Sequence, residues 1–216
     1  MKTQFWPKWF VATFTKTDNF EYDRLLMTKG RLEAFSDGVL AIIITVMVLE
    51  MKVPHGDSLQ SLKPVLPVFT SYVLSFVYIG IYWNNHHHML LAAHKINGSV
   101  LWANTHLLFW LSLVPFVTGW MGENNFTKIP VALYGIILLM AALAYYLLAH
   151  CFTSLHGKDS SFSKALGNDF KGKLSVLIYA LGIILSFFYP LAGLALYVLV
   201  AVIWFVPDKR FERQTQ

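Results

Sequence analysis

An all-α membrane protein with six transmembrane helices is the fold this sequence predicts, and three observations carry the expectation. Of 216 residues, 56% are hydrophobic and only 13% are charged, against about 25% charged in ordinary soluble domains. Six apolar segments reach or approach the roughly 17 to 25 residues that a spanning helix needs. The basic residues gather in alternate connections between those segments, the pattern of the positive-inside rule. The net charge of +5 is scattered between apolar segments and forms no stripe, which argues against nucleic acid as a partner. The single cysteine, Cys151, excludes an intrachain disulfide, and no CxxC or zinc-finger spacing occurs. The first apolar segment is too long for the h-region of a secretory signal peptide and lacks a small-residue cleavage site.

In chain order, residues 1–30 form an N-terminal arm, residues 31–206 a six-helix transmembrane domain and residues 207–216 a tail. The arm sets Phe5, Trp6, Trp9, Phe10 and Phe14 among lysines. That composition suits a segment lying on the membrane surface, and suits a plain aromatic-rich terminus equally well. The expected spans are Phe35–Met51, Val65–His88, Ser99–Met121, Ile129–Phe152, Leu174–Tyr189 and Pro190–Val206. Pro115-Phe116 is expected to kink the third. The fifth and sixth are short and share Tyr189-Pro190 as their turn, so they form a hairpin that barely spans. The connection from Thr153 to Lys171 is polar. With alternating spans, fourteen basic residues fall on one side: six in the arm through Arg31, Lys95, four between Lys158 and Lys173, and three in the tail. Only Lys52, Lys63 and Lys128 fall on the other. This predicts an integral membrane protein with both termini cytoplasmic.

On the first span, Phe35, Gly38, Ile42, Thr45 and Leu49 repeat at 3-4-3-4 spacing, the seam of a helix packed against equivalent helices near an axis. Gly38 would permit close backbone approach. Ordinary packing also yields apolar stripes, so spacing alone does not separate the two. At about 100° per residue, Asp37 lies about 140° from Ile42. It and Ser36 are therefore expected to face neighbouring helices of the same subunit. Arg31 falls on the seam if the helix extends that far.

Polar groups recur at one depth. Ser36 and Asp37 open the first span, Trp83, Asn84, His86, His87 and His88 close the second, and Asn104 lies about 8 Å into the third at 1.5 Å per residue. Such groups can satisfy one another's hydrogen bonds, and in hydrocarbon each would otherwise cost several kcal/mol. A structural hydrogen-bond layer is the preferred reading, ahead of a proton relay or pH sensor. Three consecutive histidines cannot converge on one ion from a regular helix, and His87 and His94 lie two turns apart, so no metal site is expected. No GxSxG, HExxH, Walker or GxGxxG arrangement occurs and no carboxylate pair lies within the spans, so no enzymatic activity is expected.

Arg31-xxx-Phe35-Ser36-Asp37 resembles the R-x-x-x-F-S-D signature of the transmembrane protein 175 family, lysosomal and endosomal potassium channels with prokaryotic homologues. The match continues from Gly38 through Thr45 to Leu49, through Tyr82-Trp83-x-x-x-His87, and through Asn104 and Pro115-Phe116. The resemblance implies a homotetramer, because this chain carries one copy of the motif. It implies a pore lined by the first helix at Ile42, Thr45 and Leu49, with Ile42 as an apolar constriction and Thr45 as a polar ring. No Thr-Val-Gly-Tyr-Gly filter occurs in the chain. Arg31, Phe35, Ser36, Asp37, Trp83, His87 and Asn104 would then be structural, and which of the three histidines joins the network is open at this point. The implied partners are lipid, further copies of the chain and monovalent cations, with potassium as permeant ion, no cofactor, and a bacterial plasma membrane as the location. The alternative is a proton-coupled secondary transporter using Asp37 and His87.

Overall fold

A computed structural model describes residues 29–93, 95–157, 160 and 169–205. Residues 1–28 of the expected arm, the expected tail, most of the Thr153–Lys171 connection and His94 lie outside the described residues. The helices are α1 (Lys29–Leu49), α2 (Leu66–Ala92), α3 (Gly98–Ser112), α4 (Val114–Glu123), α5 (Lys128–His156), α6 (Phe170–Ser186) and α7 (Pro190–Phe205). No strand occurs among the described residues. A 3-10 turn at Leu59–Val65 leads into α2.

Ile42 to Val48 of α1 is rich in β-branched residues, mediocre helix formers in water. Hydrocarbon offers backbone N–H and C=O groups no partner, and a helix satisfies them within one segment. The termini follow local chemistry. Asn97 accepts a hydrogen bond from Val100 N (3.0 Å) to start α3, and Asp169 accepts one from Gly172 N (3.0 Å) to start α6, each capping orphan N–H groups. Pro115 has no N–H to donate, and the third span is interrupted at Leu113 into α3 and α4. The expected kink is there, two residues before the proline.

Most helices run past the spans expected from hydropathy. α1 begins at Lys29, six residues before Phe35, so Arg31 is helical. α2 continues to Ala92. Polar residues at a helix end terminate an apolar window without ending the helix itself, which carries on into the headgroup layer. Among the described residues, four units are long and apolar enough to cross a membrane: α1, the 3-10 turn with α2, α3 with α4, and α5. α6 and α7 have 17 and 16 residues, about 24–26 Å against a hydrocarbon core of about 30 Å. They form the short hairpin that was expected.

α5 packs against α3 and α6, α6 against α7, and α2 against α4. α1 lies at the side of this bundle against α2, α3 and α4. The centre of the bundle is a tyrosine cluster from four helices. Tyr134 and Tyr197 sit 6.1 Å apart by ring centroids, Tyr78 and Tyr179 6.4 Å. Tyr78 donates to the Tyr197 carbonyl at 2.5 Å, and Ser75 bonds both Tyr134 Oη (3.0 Å) and Thr118 Oγ1 (2.6 Å). Such interhelical bonds and small residues join helices where lipid removes the usual hydrophobic drive. At Gly135 an added Cβ would lie 2.0 Å from Tyr197 Oη, and at Gly122 2.5 Å from Val68 Cα. A larger residue at Gly122 would have to move the α2 backbone, and one at Gly135 would have to displace the buried Tyr197 ring.

Candidate functional site

Helix α1 has two unlike faces. Leu32, Ser36, Leu40, Ile43 and Met47 are buried against the bundle. Phe35, Gly38, Ile42, Thr45 and Leu49 are exposed in the single subunit, with Ile42 62% and Leu49 79% exposed against 4% for Ile43. The 3-4-3-4 seam read from the sequence is thus the face that the subunit leaves uncovered. Arg31, also exposed, extends it by one turn. Thr45 Oγ1 donates to the backbone carbonyls of Ile42 (2.9 Å) and Ala41 (3.2 Å). Its proton is committed inward, so the hydroxyl presents oxygen lone pairs on this face, the polarity a cation seeks.

The buried face carries the first of two polar groups. Asn104 Nδ2 donates to Ser36 Oγ (3.0 Å), Ser36 donates to Leu32 O (2.8 Å), and His86 Nε2 lies 2.7 Å from Asn104 Oδ1. The amide oxygen can only accept, so the network assigns the proton to His86 Nε2. Ser36 and Asn104 are completely buried and His86 nearly so. The three side chains tie α1, α2 and α3 together.

The second group lies at the edge of the α1–α2 contact. Trp83 Nε1 donates to Asp37 Oδ1 (3.0 Å), and His87 Nδ1 bonds Glu33 Oε1 (3.0 Å). The Trp83 and His87 rings stack at 6.0 Å and 17°. Glu33 and Asp37 are one turn apart on α1, and Trp83 and His87 one turn apart on α2, so the pairs form a two-rung ladder. This ladder is half exposed, the Glu33 and His87 side chains at 26% and 37%. Nearby, Lys29 Nζ donates to Leu91 O (3.3 Å).

Sequence reasoning brought Ser36, Asp37, Trp83, His87 and Asn104 together as one layer. The structure gathers them at one end of the bundle but divides them into these two groups. His86, not His87, reaches Asn104 and through it Ser36, because α2 turns His86 inward and His87 toward Glu33 of α1. Glu33 was missed. The signal that could have found it is the matched i, i+4 spacing of Glu33–Asp37 and Trp83–His87. Asp37 and His87 do not contact one another: each has its own partner, with the Trp83 ring beside both.

At the other end of α1, an open cavity of about 580 Å³ runs between α1 and α4 beside the exposed face, lined by Ile42, Val46, Phe116 and Trp120 and closed by Glu50 and Glu123. Lys52 Nζ lies 2.7 Å from Glu123 Oε1. That hydrogen bond and the carboxylate charge raise the lysine pKa above its ordinary value.

Residues 31–115 match the family model described as endosomal/lysosomal potassium channel TMEM175. A potassium channel of Chryseobacterium sp. (strain P1-3) is 57% identical over 187 residues, 87% of this chain and 97% of that one. The crystal structure of a lysosomal potassium-selective channel TMEM175 homolog from Chamaesiphon minutus is similar with a TM-score of 0.68 and 26% identity, over 83% of this chain and 97% of that chain. The human endosomal/lysosomal proton channel TMEM175 is 32% identical over 101 residues, 41% of this chain and 20% of that one.

Proposed function

The chain belongs to the endosomal/lysosomal potassium channel TMEM175 family, and on that premise we propose that it is a potassium-favouring cation channel whose pore is lined by α1. One observation carries the pore assignment: the heptad face of α1 is uncovered in the subunit while the opposite face is buried. Four copies would bring four such faces to an axis. Four Ile42 side chains would form an apolar constriction that excludes water when narrow. One turn further, Thr45 hydroxyls, their protons held by the backbone, would offer a ring of oxygens to a hydrated cation, with Leu49 beyond. Selectivity would arise without a Thr-Val-Gly-Tyr-Gly filter and without a cofactor, potassium itself being the ligand that passes.

The two polar groups are positioning devices in this reading. Ser36, Asp37, Trp83, His87 and Asn104, joined by His86 and Glu33, set the rotation of α1 and thereby decide which face meets the axis, whereas Arg31 and Phe35 lie on the uncovered face itself. The basic residues favour a bacterial plasma membrane orientation with both termini cytoplasmic. A proton-coupled transporter using Asp37 and His87 is not favoured, since those groups pair with Trp83 and Glu33.

The test is a recording from purified protein in a lipid bilayer, with potassium on one side and sodium on the other. A reversal potential favouring potassium and current without a coupled gradient are expected. Ile42→Asn should raise conductance by wetting the constriction, and Thr45→Ala should change ion preference. Currents unaltered by both substitutions would overturn the pore assignment.

A further inference from the structure

We propose that α3 of one copy of the chain packs against α2 of the next copy in the ring, with His106 donating from Nδ1 to the side-chain oxygen of Asn84 on the neighbour. The inference rests on the reading of α1 as the lining of a ring of copies, and it names the surfaces that join them. His106 is a polar group in an expensive place. It is exposed in the subunit and lies eight residues into α3, about 12 Å along the helix. That is past the headgroup layer of a span running from Gly98 to Glu123. Trp110 Nε1 donates to His106 Nε2 (2.9 Å). An indole N–H only donates, so the imidazole is neutral and its own proton sits on Nδ1. That N–H has no acceptor among the described residues. Ionisable side chains within spans turn to protein or to a water-filled cavity, not to lipid.

Asn84 is the counterpart. It is half-buried, lies eight residues before the end of α2, and its amide has no hydrogen-bond partner among the described residues. α2 ends at Ala92 and α3 begins at Gly98, so the two spans run in opposite directions. The His86–Asn104 bond sets those two residues level. Two residues back along α2 and two forward along α3 move the same way by about 3 Å, which brings Asn84 and His106 to one depth. Rotation about an axis along the membrane normal keeps that depth in every copy. Each residue also lies about 200° around its helix from the inward-facing partner, so Asn84 faces away from α3 and His106 away from α2. A cyclic ring is closed by two such unlike patches, one on either side of each copy. A donor on one patch and an acceptor on the other, each unsatisfied alone, form the kind of interhelical bond that joins helices in lipid.

The surroundings of the pair are open as well. Trp83, beside Asn84, is 46% exposed. Trp102, Thr105, Phe109 and Ser112 of α3 with Phe116 of α4 repeat the 3-4-3-4 spacing of the α1 seam, and all are exposed. The Thr105 and Ser112 hydroxyls donate to the carbonyls of Leu101 (2.9 Å) and Phe109 (2.8 Å), so they pack without seeking a partner. Ser112 and Phe116 line the α1–α4 cavity together with Ile42, which makes this face continuous with the pore seam.

Cross-linking of the full-length protein in membranes tests the contact, with Cys151→Ser as background and a short bis-maleimide as the probe. With Asn84→Cys and His106→Cys in one chain, each copy carries one thiol toward each neighbour, so covalent species beyond the dimer are expected, and either substitution alone should give none. Leu49→Cys in the same background reads the pore assignment separately and should give dimers. Dimers from Leu49→Cys with only single chains from the Asn84→Cys and His106→Cys pair would overturn this interface and leave the channel reading standing. A second measurement needs no thiols: dissociation of the assembly on dilution in detergent, followed by light scattering. His106→Leu and Asn84→Leu should each raise the midpoint concentration about tenfold, and the double variant no further than the more affected single one. His106→Gln, which keeps a donor, should shift it much less. Assembly unchanged or tightened by both leucines would mean that the face meets lipid, and would overturn the proposal.

Discussion

Ile42 and Ile43 are chemically identical neighbours on α1, yet one is 62% exposed and the other 4%. The face of Ile43 is closed by its own subunit: Leu32, Leu40 and Met47 pack against α2, α3 and α4 around the Ser36–Asn104–His86 chain. The face of Ile42 meets no element of its own subunit closely enough to be covered. The difference teaches that hydropathy says nothing about role in a membrane helix, since both faces are apolar. What separates them is whether a polar group is obliged to find a partner. The fully buried Asn104 amide must be satisfied within the bundle, and its bond to Ser36 holds the rotation that leaves Ile42, Thr45 and Leu49 outside.

The sharpest way to break this contrast is to place the same polar residue on each face. Ile43→Asn would bury an unpaired amide in a packed contact and cost ~3 kcal/mol or more, so loss of folded protein on size-exclusion chromatography is expected. Ile42→Asn should leave yield intact and alter only conductance. If both variants fold equally well, the faces are not distinct. Next, Asn104→Leu removes the middle of the buried chain and strands His86, while Ser36 keeps its bond to Leu32 O. A loss of about 2 kcal/mol should appear as a lower unfolding midpoint, with ion preference retained by the channels that remain.

The half-exposed ladder should respond less. Asp37→Asn weakens a charge-assisted bond at the edge of the α1–α2 contact and is expected to cost about 1 kcal/mol, seen as reduced assembly with unchanged reversal potential. Altered cation selectivity in a fully assembled Asp37→Asn protein would move the ladder into the ion path. Smaller still is Thr45→Ala on the open face, with a stability change within about 0.5 kcal/mol and its effect confined to current. A substantial drop in melting temperature would show that Thr45 is packed inside the fold.

Much of this is legible in the residues alone. The spans follow from apolar length, the short α6–α7 hairpin from segment size, and the break in the third span from Pro115. The Phe35–Leu49 seam follows from residue spacing on one helix. Each is a local property, set by a segment and the solvent around it. The histidine assignment was of another kind. Consecutive residues His86 and His87 differ by about 100° in direction, and nothing within α2 states which direction α3 lies in. Glu33 went unnoticed for the same reason: its role exists only once Trp83 and His87 stand opposite it.

The sequence by itself therefore determined the order of the apolar segments, the gathering of basic residues in alternate connections and the two candidate faces of α1. The tertiary structure alone decided that the face of Ile43 is the closed one and that the polar layer is two groups instead of one. The physical reason is one of range. Helix formation in a membrane is imposed residue by residue through backbone hydrogen bonding, whereas rotation and pairing depend on how several helices pack at once. A register shift of one residue on α2 would have set His87 where His86 meets Asn104 and His88 where His87 meets Glu33, without changing any local preference.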